Sequence, residues 1–396
     1  MTPNSTTSSA RPKPSPRGPR PERSRARRAT PVPGGALDAR VPRVRVRIGS
    51  PTSLLAVIPG LLGFDPGRSI VVIGTESRTA TVRVTLRYDV PDPRQPGMAI
   101  ALARHAISLL EAQGVTTAVM VGYGTDAAVS PVAAALRERA SEAGIALTEL
   151  LRARDGRYWS YVCSDPACCP PEGTPFDIAD HPAARALSAG GGRVLADRAA
   201  LAASIAAAGG PPGAAMRRET KACLAEVTRC LTRLDRAGTP ASAARLTAAL
   251  GQIAVQDAIR RYRAGEQVLT EHTALLIVAL SQLRVRDDAW SRMEPEHQGA
   301  HLRLWTDLIR LARPGYVAAL GALLAFVAWQ SGDGALANVA LDRALADNPR
   351  YSMALLLREA LDSGVPPSLA RLPMTPQDVA AAYDAAEAAE DAAKAR

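Results

Sequence analysis

Five cysteines in 396 residues is a low count, and three of them, Cys163, Cys168 and Cys169, fall within seven positions. Aromatic residues make up only 4% of the chain. Lysine occurs only at Lys13, Lys221 and Lys394, so 45 of the 48 basic residues are arginine. With Ala, Gly and Pro abundant, this is the bias of a GC-rich genome, and arginine content alone is no sign of phosphate recognition. No apolar run reaches the roughly 18–20 residues of a membrane-spanning helix. The longest, YVAALGALLAFVAW at 316–329, is flanked by Arg313 and Asp333 and reads as a buried helix. The N-terminus lacks the apolar segment of a secretory signal. With neither span nor signal, the chain is expected in the cytoplasm, where thiols stay reduced. A Walker motif, a G-x-S-x-G elbow and an H-E-x-x-H pair are also absent. No nucleophile stands with a base at a known spacing.

The charge is unevenly spread. Of the net +10, residues 1–40 carry nine Lys/Arg against Glu22 and Asp38, a net of +7. The remaining 356 residues hold 39 basic and 36 acidic side chains, so the body is nearly balanced and shows no basic nucleic-acid face. Residues 1–40 have almost nothing apolar to bury and are expected to be a disordered tail. Such a tail is a solvated segment without a specific partner, or a weak, non-specific contact to nucleic acid or an anionic surface.

Hydrophobic content of 47% in a chain this long allows a large core and more than one domain. VPRVRVRI (41–48) alternates like a strand. PTSLLAVIPG suggests a short helix capped by Thr52 or Ser53 and broken at Pro59-Gly60. SIVVIGT (69–75) is a continuous apolar run suited to a central strand, and ATVRVTLRYDV (80–90) pairs with it through ESRT. A helix follows over 97–114, ended by Gly114, then a buried strand over 116–124. The next helix is expected over 130–144, with Ser130 as cap and Pro131 in its first turn. Residues 145–163 read as two strands about the turn RDGR. Alternating strands and helices give an α/β domain with a mixed sheet over 41–208. GGPPG (209–213) reads as a dividing turn. Seven helical segments then follow, at 214–237, 240–263, 268–290, 296–312, 315–331, 335–347 and 351–362, with an Ala-rich helix or tail over 366–396. The expectation for 209–365 is an all-α domain. Leu324, Ala337, Leu341 and Ala344, with Pro349 behind, have the spacing of one tetratricopeptide-like helix pair; an ordinary helical bundle accounts for them equally.

Four segments together, SLLAVIPGLLGFDPGRSIVVIG, TLRYDVP, GRYWSYVCSDPACCPPEGTP and FVAWQSGDGALANVALDRALADNP, resemble one family, the domain of unknown function 4192. The resemblance covers about residues 43–365. It implies a cytoplasmic protein of high-GC Gram-positive bacteria, and carries no activity, substrate or catalytic residue.

The cysteine loop admits three readings. Three thiolates with His181 as fourth donor would hold Zn²⁺, although the spacing is not a standard zinc pattern and adjacent cysteines strain to share one ion. A thiolate at Cys168 or Cys169 reacting with Cys163 would give redox chemistry. Otherwise the thiols are small apolar fillers. Cys223 and Cys230 share a helix face and are expected in the core. In GFDPGRS and LRYDVP, Asp65, Arg68, Arg87 and Asp89 would form a ligand site at strand ends, or a salt bridge tying adjacent edges. VMVGYGTDAAVSPV (119–132) places a helix N-terminus, which attracts phosphate, after a strand; with neither G-x-G-x-x-G nor G-K-[ST] present, its glycines read first as a tight βα turn. His297 and His301 are expected as two partly exposed histidines on one helix face.

The leading expectation is a non-catalytic binding or scaffold protein, meeting a protein partner through the helical domain. The alternative is an enzyme with a small-molecule site near Asp65, Arg87 and Asp89.

Overall fold

A computed structural model of the chain describes residues 48–76, 81–189, 194–236, 240–268, 270–369 and 374–394. The basic tail, the alternating segment up to residue 47 and most of the ESRT turn lie outside these.

The first helix, α1 (Pro51–Leu62), is capped by Ser50, whose hydroxyl accepts the Ser53 N–H at 3.1 Å. It runs on through Pro59 and Gly60, where the sequence suggested a break, and ends at Gly63 in the left-handed region. The reason is packing. A methyl at Gly60 would sit 2.7 Å from Leu187 Cδ1, so the glycine admits a neighbouring helix rather than stopping its own.

Strands β1 (Ser69–Thr75) and β2 (Val82–Asp89) form the expected antiparallel pair. Then come α2 (Pro96–Ala112), β3 (Thr117–Tyr123), α3 (Asp126–Glu142), β4 (Ala146–Arg154), β5 (Arg157–Ser160) and the short β6 (Thr174–Pro175). The sheet order is β2-β1-β3-β4-β5-β6, and β3–β4 is parallel while the other pairs are antiparallel. The β4–β5 turn is Asp155-Gly156, both at positive φ (51° and 72°), the tight hairpin geometry that Asp-Gly favours.

Alternation along the strands divides two cores. Ile70 and Val72 of β1, Met120 of β3 and Leu150 of β4 face α2 and α3, packing with Leu110, Val129, Val132 and Leu136. Val71, Ile73, Val121 and Leu151 face the other way, onto Leu54, Leu55 and Ile58 of α1. That second core is continuous with the buried interior of the helical region, including Trp305, Leu320 and Leu324. Both faces of β1 are thus covered, which is why its sequence is apolar throughout. Each such side chain contributes about 1.5–3 kcal/mol by leaving water.

After β6, α4 (Pro182–Ala189) packs on α1 and α5 (Arg198–Ser204) is capped by Asp197. Sequence reading named neither. The remainder is helical: α6 (Gly210–Arg236), α7 (Pro240–Arg263), α8 (Thr270–Ala279), α9 (Leu283–Ser291), α10 (Gln298–Leu311), α11 (Val317–Gln330), α12 (Gly334–Asp347), α13 (Ser352–Asp362) and α14 (Pro376–Lys394). GGPPG is not a dividing turn; α6 starts at Gly210, and its prolines occupy the first turn, where no amide donor is needed. The segment 268–290 is two helices, α8 and α9, not one.

The run 316–329 is buried as expected: every residue of α11 from Val317 to Trp329 is inside. A methyl at Gly321 would lie 2.8 Å from Ala344 Cβ, so α11 and α12 approach closely. Leu324, Ala337, Leu341 and Ala344 are all buried there. Asp347 closes the pair by accepting the N–H groups of Gly315, Val317 and Ala318 at 2.6, 2.9 and 3.1 Å. Among the described residues no helix is long and apolar enough to cross a membrane.

Two side-chain expectations fail as well. Cys230 is exposed, with only Cys223 packed against the core, because most described positions of α6 beyond Cys223 face solvent. His301 is buried rather than partly exposed: it is 1% accessible and stacks on Trp305 at 6.5 Å between ring centroids. His297, near the exposed start of α10, sits 3.7 Å from Glu294.

Candidate functional site

A cavity of about 490 Å³ opens where β3 and β4 end. These are the carboxyl ends of the parallel pair, the edge at which α/β sheets place ligands. The volume lies in the range of small-molecule sites. Its wall is built from the loop before β1 (Asp65, Pro66, Gly67, Arg68), the end of β3 (Tyr123, Gly124) and the start of α3 (Thr125, Ala128). Arg154 and Asp155 of the hairpin, with Phe176 and Ile178 after β6, complete it.

The loop before β1 is held in place. Asp65 N–H donates to Leu195 O and Leu195 N–H to Gly63 O, each at 2.9 Å. Asp65 Oδ1 accepts the Gly67 N–H at 3.0 Å, folding the loop back on itself. Ser69 follows, fully buried, its hydroxyl donating to Pro66 O.

Helix α3 begins four residues before the expected Ser130. Thr125 is its N-cap but makes no side-chain capping bond. Pro131 lies inside the helix, not in its first turn. The earlier start puts Thr125 and Ala128 at the cavity wall, next to the helix terminus; the Ala128 N–H bonds to Thr125 O at 3.1 Å, and the N–H groups of Asp126 and Ala127 are the ones the helix leaves without an acceptor. Asp126 turns its carboxylate aside, accepting from Tyr161 Oη at 2.8 Å and lying 3.6 Å from Arg152. Tyr123 lines the cavity, and its buried hydroxyl has no hydrogen-bond partner. Burial, and then the negative charge of Asp65, push this phenol well above its usual range.

Of the four strand-end candidates, the cavity gathers Asp65 and Arg68. Arg87 and Asp89 are not on its wall. They form an ion pair at 2.6 Å, and Arg87 Nε also donates to Ser69 Oγ at 2.8 Å. Both residues lie on β2 and Asp89 is 85% exposed, so the ion pair stays within that strand, and the Arg87–Ser69 hydrogen bond is what ties β2 to β1. Arg154, Asp155, Phe176 and Ile178 were not singled out from sequence as site residues; Tyr123 and Thr125 belong to VMVGYGTDAAVSPV, read there as a strand leading to a phosphate-attracting helix N-terminus. Ser130-Pro131, the stronger local cap, placed the start of that helix too late.

The second cluster is the cysteine loop. The Sγ atoms of Cys163, Cys168 and Cys169 all lie within 4.8 Å of one another. Asp165 builds the turn that aims them together. Its carbonyl accepts the N–H groups of Cys168 (3.1 Å) and Cys169 (2.7 Å), and its Oδ1 accepts from Ala167 N at 2.9 Å. Ser160 Oγ takes the Val162 and Cys163 N–H groups, each at 3.2 Å. Trp159 anchors the loop's far end, its Nε1 donating to Pro171 O at 2.9 Å, with Arg152 stacked 3.5 Å over its ring. Gly173, at φ +83°, lies flat against that ring, and any Cβ there would be 2.5 Å from it. A hydrogen bond from Cys169 holds the Cys163 thiol below the usual thiol range, and the same bond pushes Cys169 up to about 12. His181 does not join the cluster; its Nδ1 accepts the Ala183 N–H at 3.2 Å at the head of α4.

Comparison with curated proteins and with solved structures finds no match for this chain. A family model does match, over residues 51–368, which takes in α1, the whole sheet, the cysteine loop and the helices through α13. The chain belongs to the family described as Domain of unknown function (DUF4192).

Proposed function

We propose that this chain is a binding protein whose cavity takes a small molecule with an apolar body and an anionic group, a phosphate or a carboxylate. The observation that carries the reading is the start of α3, an uncapped 17-residue helix whose first turn lines a cavity that also holds Arg68 and Arg154. A helix N-terminus offers free N–H groups and a partial positive charge, and both favour an anion. Tyr123, with its unpartnered buried hydroxyl, adds a polar group at the same wall. Leu55, Val90, Phe176 and Ile178 supply apolar surface for the rest of the ligand. Asp65 favours a ligand that also carries a hydrogen-bond donor. A cytoplasmic location fits this reading, since all five cysteines are free thiols.

Calorimetric titration with adenosine 5′-monophosphate, with adenosine as the uncharged control, tests it. Saturable binding of the monophosphate is expected, weakened at least tenfold in Arg68→Ala and unchanged in Asp89→Asn. No binding, or equal binding by Arg68→Ala, contradicts the reading.

A further inference from the structure

The cysteine loop holds chemistry that the cavity does not use. Three thiols from two short stretches converge within 4.8 Å of one another. In a tetrahedral zinc site with Zn–S near 2.3 Å, neighbouring sulfurs stand about 3.8 Å apart. The cluster therefore needs to contract by roughly 1 Å to close on an ion, a shift within reach of side-chain rotation. The turn at Asp165 removes the objection to adjacent cysteines. Because the Cys168 and Cys169 N–H groups both bond to the Asp165 carbonyl, the backbone curls there and both thiols reach Cys163. Both ends of the loop are fixed before any metal arrives, by Ser160 at one end and Trp159 at the other.

The fourth donor is what the structure changes. Among the described residues no His, Asp or Glu joins the three sulfurs, and His181 caps α4 instead. Cys168 is exposed, so the cluster faces solvent. Zinc sites that serve only structure are closed by four protein ligands, while three ligands and an open position mark sites where an outside molecule binds the metal.

We propose that Cys163, Cys168 and Cys169 bind one zinc ion through three thiolates, with the fourth position held by water or an exogenous ligand. Binding displaces three thiol protons and leaves a complex of net charge −1 when water is the fourth ligand. The site stands independently of the cavity reading.

The test uses the full chain, reduced and stripped of metal under anaerobic conditions. Titration with Zn²⁺ against a chromophoric chelator is expected to give one equivalent bound, lost in the Cys163→Ser/Cys168→Ser/Cys169→Ser variant and retained in His181→Ala. Co²⁺ in place of zinc is expected to show thiolate charge-transfer absorption and the d–d bands of a tetrahedral ion. Added imidazole then shifts the d–d bands as it enters the open position. Should the triple variant misfold by circular dichroism, alkylation of the wild-type chain decides: zinc is expected to protect these three cysteines and leave Cys230 reactive. No zinc bound, or zinc bound without protection of the three, overturns the site. A cobalt spectrum indifferent to imidazole and lost in His181→Ala overturns the open position.

Discussion

Val129 of α3 lies directly on Gly122 of β3: a methyl group at Gly122 would stand 2.3 Å from Val129 Cγ1 and 3.1 Å from Ile70 Cδ1. This contact seats the first turns of α3 against the end of the strand, which is what brings Thr125 and the open helix terminus to the cavity. The cavity is a consequence of a missing side chain.

Gly122→Ala is therefore expected to cost about 1–3 kcal/mol, the range for overfilling a packed core. It should also displace the start of α3. Urea denaturation measures the first effect, and loss of monophosphate affinity reads the second. A variant as stable as wild type, with affinity intact, would show that the contact does not position the helix.

Asp347 supports a different helix start. Its carboxylate accepts three N–H groups at the head of α11, a helix buried from Val317 to Trp329. Replacing a capping residue by Ala costs roughly 0.5–2 kcal/mol, and charged acceptors lie at the upper end. Asp347→Ala is expected to lose about 2 kcal/mol and Asp347→Asn less, since the amide keeps one accepting oxygen. Thermal unfolding of the two variants beside wild type checks the order.

His301 gives stability a pH dependence. Both ring nitrogens are buried without partners, and burial lowers its pKa from 6.5 to about 4. The folded chain keeps the ring neutral while the unfolded chain protonates it, so the unfolded state binds more protons between these values. Stability contributed by this residue is then full above about pH 6.5 and falls as pH drops toward 4, by on the order of 3 kcal/mol. Urea denaturation from pH 4 to pH 8 should show the slope, and His301→Leu should flatten it. An equal slope in the variant would assign the effect to other groups.

Much of this architecture is legible in the residues themselves. The apolar runs of β1 and β3, the alternation of β2 and the Asp-Gly hairpin are local signals, and each lands where it points. Helix starts are less legible. Ser130-Pro131 is the stronger local cap, yet α3 starts at Asp126, because burial of Val129 against the sheet outweighs one amide bond lost at Pro131. Gly60 looks like a breaker in sequence and acts as a contact point in space, and Gly122, inside an apolar strand run, does the same for α3. The cysteines announce themselves by clustering, but whether His181 reaches them depends on where α4 docks, and no spacing rule encodes that. Two apolar residues of the cavity wall follow the same logic: Phe176 and Ile178 come from beyond the cysteine loop, returned by the two-residue strand β6.

The central claim, an anion held at the start of α3, is tested most directly by amide NMR of the full chain titrated with inorganic phosphate. The account predicts saturable shifts at Gly124, Thr125, Asp126, Ala127 and Arg68, with the rest of the spectrum unmoved. Phosphate that leaves these amides in place, or shifts that scatter over the arginine-rich surface, would contradict it.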